Sequence, residues 1–354
     1  MTRTSRAILS TTHLINNINV VRSVANNSKI IAMVKANAYG HGIRSVAKRI
    51  AGYVDLLGVA SIDEAVAIRK IGIDSPIILM EGVFCPSEYE DVCRYDLEVV
   101  FHARHQIDWL RQQDMTKPIQ AWLKIDTGMG RLGFDTEAVD AAYQTLYSTK
   151  QVKPNIHILS HLSCAKSHDS QQTLSQLSSF KTISSRFSTK FSLCNSDAIF
   201  LQPEHHYDYV RPGMALYGIG AHPGLKPVMT LQAQIISIKQ LQRGQSIGYG
   251  QRYICQEAKR IAIASIGYGD GYPQSAPDGT PVLINGNHYQ LAGRVSMDML
   301  SIDLDNDQRI KIGDWVTLWG EGLSIETVAK HTSSSAYELT TRVQNRVPFQ
   351  WIDQ

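Results

Sequence analysis

The chain has 354 residues, a formal charge of +3, and 43% hydrophobic with 19% charged residues. That length predicts a large domain of about 200–250 residues and a smaller one, and 25 glycines with 12 prolines are too few for a disordered chain. The near-balanced charge, without a run of Lys and Arg, argues against a nucleic-acid partner, and no apolar run reaches the roughly 18 residues of a membrane span.

The first residues, "MTRTSRAILSTTHL", are basic but lack an apolar stretch of signal-peptide length, so a cytoplasmic enzyme or binding protein is expected. From Ile30 to about residue 211, short apolar runs alternate with helical patterns. Strands are expected around Ile30–Val34, Leu56–Val59, Ile77–Met80, Leu97–Phe101, Ile119–Ile125, Ile156–Ser160, Phe191–Cys194 and Tyr209–Arg211. The segment "SIDEAVAIRKIG" between two of them carries helix punctuation: Ser61 and Glu64 spaced as a capping box, and Gly72 as a stop.

Eight such units with nearly continuous apolar strands predict a (β/α)8 TIM-type barrel over residues 1–225. An open doubly wound sheet is the alternative. It gains nothing from "GYGDGY" at 267–272, whose glycines have the wrong spacing for a dinucleotide fingerprint. Over 226–354 the pattern becomes alternating, as in "LQAQIISIKQL", "RIAIASIGYG", "TPVLINGNHYQLAGRV" and "IGDWVTLWG", which predicts a mostly-β C-terminal domain with a short helix at "SIETVAKH".

Cys85, Cys93, Cys164, Cys194 and Cys255 are odd in number and scattered, so neither disulfides nor zinc is expected. The pair His205–His206 lacks a ligand at helical spacing and reads as solvated loop histidines, leaving no metal.

Barrel enzymes carry their chemistry at the carboxyl ends of the strands. Lys35 ends the first expected strand, Lys124 and Arg131 flank the fifth, His161 ends the sixth, Asn195 and Ser196 the seventh, and Arg211 the eighth. Each has an ordinary reading alone: Lys35 snorkelling, Lys124 paired with Asp126, His161 as a hydrogen-bonded core histidine. Together they converge on one rim. Amides near Gly213 and Met214 with the hydroxyls of Ser196 and Tyr39 offer a phosphate cup. A lysine amine beside such a cup suggests pyridoxal 5'-phosphate held as a Schiff base.

The motifs "VKANAYGHG" (34–42), "KIDTGMGRLG" (124–133), "NSDA" (195–198), "RPGMALYG" (211–218), "IGYG" (247–250), "IGYGDGY" (266–272) and "GRVSMDML" (293–300) resemble, in the same order, those of bacterial alanine racemases, pyridoxal-phosphate enzymes of fold type III. The resemblance implies interconversion of L- and D-alanine, supplying D-alanine for peptidoglycan, by a homodimer with active sites shared between subunits. Lys35 matches the cofactor lysine and one of two bases. Tyr249 matches the second base, delivered to the opposite face by the other subunit.

By the same resemblance, His161 and Arg211 match residues of the polar network around that tyrosine, and Arg211 also faces the pyridine nitrogen. A guanidinium there disfavours ring protonation, whereas barrel-fold decarboxylases place a carboxylate. Arg131 matches the arginine near the cofactor's phenolic oxygen and the substrate carboxylate. Lys124 matches a lysine that many relatives carry as a carbamate. Met297 matches a substrate-carboxylate ligand, and Tyr268 and Asp298 lie in entrance motifs. The first ten residues are expected to pair with the C-terminal domain. Asn345 stands where some relatives have a phosphate-contacting tyrosine, and Ser163 and Lys166 stand where relatives often have an alanine and an acidic residue. A racemase of broader range, for serine or basic amino acids, a decarboxylase, and a non-catalytic cofactor carrier are the alternatives. The last resembles the barrel alone.

Overall fold

The computed structural model describes residues 4–167, 170–220 and 222–353. It divides into two compact units: Ile15–Leu216 with His222–Gly224, and Met1–Leu14, Tyr217–Ala221 and Leu225–Gln354. Strand β1 (Ser5–Ser10) therefore lies in the second unit although it precedes the barrel in sequence.

The first unit is a closed barrel of eight parallel strands: β2 (Lys29–Met33), β3 (Leu56–Val59), β4 (Ile77–Leu79), β5 (Leu97–Phe101), β6 (Ala121–Lys124), β7 (His157–Leu159), β8 (Phe191–Asn195) and β9 (Tyr209–Arg211). Neighbours follow chain order, and the ring closes where Lys29 and Ile30 of β2 pair with Tyr209 and Val210 of β9. These strands are apolar almost throughout because both faces are covered, one by the barrel interior and one by helices. The fifth expected strand is shorter than its apolar run; Ile119 and Ile125 form only single bridges, to Val152 and Phe134.

Ile31, Met33, Ile78, Val100, Trp122 and Tyr209 pack together in the barrel core. Gly58 makes room there, since a Cβ at that position would come 2.7 Å from Met33 Sδ. Trp122 is fully buried, and its indole N–H donates to Glu98 at 2.6 Å. Truncating it to alanine would cost about 3–5 kcal/mol. The surrounding helices bury one stripe each, such as Val46, Ala47 and Ile50 of the helix Ile43–Ile50.

The second unit is built on an eight-stranded sheet, with β1 antiparallel to β10 (Met229–Leu241). The strands that follow are β11 (Ser246–Ile247), β12 (Tyr253–Ile254), β13 (Lys259–Ala264), β14 (Pro281–Ile284), β15 (Asn287–Leu291), β16 (Leu300–Asp303), β17 (Trp315–Trp319) and β18 (Phe349–Ile352). Within the first ten residues, Ala7–Ser10 also runs parallel to β18; residues 1–3 lie outside the described part. β10 alternates buried and partly exposed residues through its first half, and a register shift between Ile235 and Ser237 lets it pair with β17 and then with β13. The turn at "NGN" is a two-residue connection between β14 and β15, with Asn285 (φ 48°) and Gly286 (φ 79°) both left-handed, as a type I′ hairpin requires. Ser324 caps the helix Ile325–Thr332 by accepting the Thr327 amide.

Two local expectations fail. Ser61 is the N-cap of the helix Ile62–Arg69 but makes no side-chain cap, and the Glu64 carboxylate accepts the Ala36 and Ala60 amides rather than that of Ser61. His206 is not solvated: it is buried, with Nε2 2.8 Å from the Ile199 carbonyl. Among the described residues no cluster of His, Cys, Asp and Glu could hold a metal, the five cysteines are free, and no helix is long and apolar enough to cross a membrane.

Candidate active site

The strand ends gather the polar residues of the barrel. Lys124, Asn195 and Arg211 are the last residues of β6, β8 and β9, while Lys35 and His161 follow β2 and β7 by two residues. All therefore lie on the carboxyl-terminal rim, because the strands are parallel.

The chain leaves β2 through an uncommon turn. Ala36, Asn37, Ala38 and Tyr39 all have φ between 52° and 55°, the left-handed region that costs a non-glycine residue roughly 1–2 kcal/mol. The turn is closed by Ala38 N–H to Val34 O at 2.8 Å, Gly42 N–H to Asn37 O at 2.9 Å and Ile43 N–H to Asn37 Oδ1 at 2.8 Å. Lys35 stands at its start, about one-third exposed, with Nζ 3.8 Å from Glu81 Oε1.

At its end, the Tyr39 hydroxyl overlies Gly213: a Cβ on Gly213 would come 2.5 Å from it. Only glycine permits that approach. Beside it the buried Ser196 Oγ accepts the amides of Gly213 at 2.9 Å and Ala215 at 3.2 Å. With both lone pairs occupied, the serine hydroxyl can only donate its own proton outward, the polarity a phosphate oxygen needs. The amide of Gly213 thus serves the cup through Ser196. Asn195 caps the helix Ser196–Leu201, accepting from Ala198 N–H, and donates to the Leu162 carbonyl at 3.2 Å. Met214 opens the short turn Met214–Tyr217 that follows Gly213.

Arg211 is almost fully buried. Its guanidinium donates to Ser192 Oγ at 2.6 Å and to the carbonyls of Ser160 at 2.5 Å and Leu193 at 3.0 Å. Burial pushes its pKa down to about 10, which still leaves it charged at neutral pH. His161 Nδ1 is 3.5 Å from Arg211 Nη2. Its Nε2 is 3.5 Å from Asn195 Nδ2, so a donor group faces each ring nitrogen. Burial, reinforced by Arg211, Lys124, Arg131 and Lys35, holds the His161 pKa well below its ordinary value.

Lys124 lies buried on the same rim. Desolvation first, then the charges of Arg211 and Arg131, bring its pKa down to about 7. Asp126 does not pair with it in a salt bridge, because its carboxylate accepts four backbone amides, of Gly128, Met129, Gly130 and Arg131, at 2.7–3.2 Å. Burial alone would raise the Asp126 pKa, but those amides outweigh it and hold it below the ordinary value.

The rim is therefore strongly cationic, with a donor cup at one side and a lysine amine at the other. That combination fits pyridoxal phosphate: Ser196 and Tyr39 suit its phosphate, Lys35 its aldehyde, and Arg211 its ring nitrogen.

The other unit presents the remaining candidates separately. Tyr249 lies between β11 and β12 in a short turn flanked by Gly248 and Gly250, and is 69% exposed. The segments of Tyr268 and Met297 are laced together by Tyr268 N–H to Ser296 O and Gly269 N–H to Met297 O. Arg346 bridges Asp298 and the fully buried Asp270. Asn345, Ser163 and Lys166 are exposed. Reasoning from sequence took Asp126 only as a partner for Lys124 and passed over Ser192, which holds Arg211, and Asp270 and Arg346, which brace Asp298 in the other unit. Of these only Asp126 carried a local signal: an aspartate just before "TGMG" is a common acceptor for successive loop amides.

Residues 9–221 match the family "Alanine racemase, N-terminal domain" and residues 228–351 "Alanine racemase, C-terminal domain". An alanine racemase of Shewanella denitrificans is 40% identical, with 97% of each chain covered, and one of Haemophilus influenzae is 40% identical with 98% of each covered. Among solved structures, the biosynthetic alanine racemase of Pseudomonas aeruginosa superposes with a TM-score of 0.95 at 38% identity, covering 99% of both chains. The Bartonella henselae alanine racemase, solved with covalently bound pyridoxal phosphate, superposes with a TM-score of 0.91 at 29% identity, again covering 99% of both. The chain belongs to the alanine racemase family, the pyridoxal-phosphate-dependent isomerases that interconvert L- and D-alanine.

Proposed function

We propose that this racemase works with two bases, Lys35 on one face of the substrate and Tyr249 from a second copy of the chain on the other. The carrying observation is the convergence of Lys35, Lys124, His161 and Arg211 on one rim beside the Ser196–Gly213–Tyr39 cup. Pyridoxal phosphate, when bound, supplies the electron sink that makes the α-proton of alanine removable.

The protein's own groups do the rest. The Lys35 amine anchors the cofactor and then takes or returns the α-proton on its side. The Tyr249 phenol does the same opposite; its exposure on a turn supports delivery to a partner. Arg211, fixed by two carbonyls and a serine, presents a permanent positive charge to the pyridine nitrogen and keeps it unprotonated. That limits charge delocalisation and favours reprotonation of the α-carbon over transamination.

Arg131 holds the substrate carboxylate and the cofactor's phenolic oxygen, with the Met297 amide of the second copy assisting. Lys124 acts as a carbamate. Its pKa near 7 supplies the neutral amine that addition to carbon dioxide requires, and Arg131 and Arg211 stabilise the resulting anion. Tyr268 and Asp298 line the entrance. Homodimers, a cytoplasmic location and supply of D-alanine to peptidoglycan complete the reading, the free cysteines supporting a reducing compartment.

The test is to add cofactor, measure racemisation of a panel of amino acids, and trap the bound cofactor by borohydride reduction. Alanine should turn over fastest, and the reduced label should sit on Lys35. Equal turnover of alanine, lysine and arginine would overturn the substrate assignment, and a label elsewhere would overturn the lysine.

A further inference from the structure

Glu64 was expected to cap its own helix, and the fold uses it differently. Oε1 accepts the Ala36 amide at 2.7 Å and Oε2 accepts the Ala60 amide at 2.8 Å. Ala60 directly follows β3, and Ala36 directly follows Lys35 and opens the left-handed turn. One carboxylate thus ties the ends of two neighbouring strands at the point where the reactive lysine leaves the barrel.

The chemistry of the side chain suits that position. Both partners are N–H donors, so two acceptor oxygens are needed. A glutamine would present an NH2 to one of them, and an aspartate is a methylene short of spanning both. The turn needs such a restraint, because alanine at 36 and 38 and asparagine at 37 favour right-handed φ. If the turn relaxes, Lys35 at one end and Tyr39 at the other lose their common placement. Tyr39 contacts Gly213, so the lysine would then lose its alignment to the phosphate cup.

We infer that Glu64 is a positioning residue of the active site: its carboxylate locks the left-handed turn Ala36–Tyr39 and so sets the Lys35 amine relative to the phosphate cup. This inference rests on the reading of Lys35 as the cofactor lysine, and it adds a residue on a flanking helix to that machinery.

Glu64→Gln, Glu64→Asp, Ala36→Gly and the Glu64→Gln/Ala36→Gly double variant test it. Cofactor is removed, and pyridoxal phosphate affinity and the rate of covalent attachment are followed by absorbance. Glu64→Gln and Glu64→Asp should each weaken cofactor binding about tenfold and slow attachment, while the melting temperature of the cofactor-free protein changes little. Glycine adopts left-handed φ without penalty, so Ala36→Gly should recover most of the loss in the double variant. Parental affinity and attachment rate in the Gln or Asp variant would overturn the inference, as would a loss that Ala36→Gly leaves untouched. If Glu64→Gln does not fold, the Asp variant decides by the same readouts. Borohydride labelling of the parent separates the two failures: a label away from Lys35 sinks the lysine assignment, whereas a label on Lys35 with unaltered Glu64 variants sinks only the role of Glu64.

Discussion

The Asp126 carboxylate receives the Arg131 amide at 3.2 Å after already accepting those of Gly128, Met129 and Gly130, so one side chain shapes the whole loop that presents the Arg131 guanidinium. Asparagine at 126 would keep a single acceptor oxygen and turn an NH2 toward amides that also donate. Asp126→Asn should therefore raise the KM for alanine about tenfold, equivalent to roughly 1.4 kcal/mol, with a smaller change in kcat. Steady-state kinetics checks this. An unchanged KM would mean that Arg131 does not depend on the loop.

Arg211 makes a different kind of prediction, because its partners are neutral. Arg211→Gln leaves the carbonyls of Ser160 and Leu193 short of a donor and should lower stability by about 2–4 kcal/mol in urea unfolding. It also removes the charge proposed to keep the pyridine nitrogen unprotonated. The variant should convert more alanine into its 2-oxo acid per racemisation event, which an enzyme-coupled assay detects. A parental partition ratio would count against that role for the guanidinium.

Lys124 links the site to pH. Its pKa is about 7 in the folded chain, against 10.5 as the ordinary lysine value. Between those limits the unfolded chain binds the extra proton, so stability contributed at this position rises with pH through the window, and the desolvation cost is greatest below it. In carbon-dioxide-free buffer, cofactor-free protein should melt at a higher temperature relative to its Lys124→Met variant at pH 9 than at pH 7. Labelled bicarbonate should in turn give a carbamate signal in NMR that the variant lacks. A constant melting difference would show that the buried amine is not depressed.

Much of this architecture was legible in the sequence because it follows from periodicity. The eight apolar runs mark strands covered on both faces, and the polar residues at the ends of five of them mark a rim. The division between units was less legible. β1 is short and precedes the barrel, yet it pairs with β10 and β18, and nothing local to residues 5–10 specifies partners more than 200 positions away. Glu64 shows the same limit in miniature. Its spacing from Ser61 satisfied a helix-capping pattern, but the competing demand for an acceptor came from the Ala36 amide, brought near by the pairing of β2 with β3. The left-handed turn was equally hidden, since alanine and asparagine at 36–38 do not require it.

The proposed sharing of each active site between two copies of the chain yields a stringent test. Lys35→Ala and Tyr249→Phe should each abolish racemisation, by about 10^3-fold or more if each removes one of two bases. Tyr249→Phe should still exchange the α-hydrogen of one enantiomer with solvent, because Lys35 remains, and deuterium incorporation measured by NMR detects it. Mixing and reassociating the two inactive proteins separates a shared site from a self-contained one. If each site takes Lys35 from one chain and Tyr249 from the other, a mixed dimer has one doubly altered site and one intact site. Random reassortment makes about half the dimers mixed, so about a quarter of all sites, and of the parental activity, should return. If both bases come from the same chain, every site keeps a defect and mixing recovers nothing.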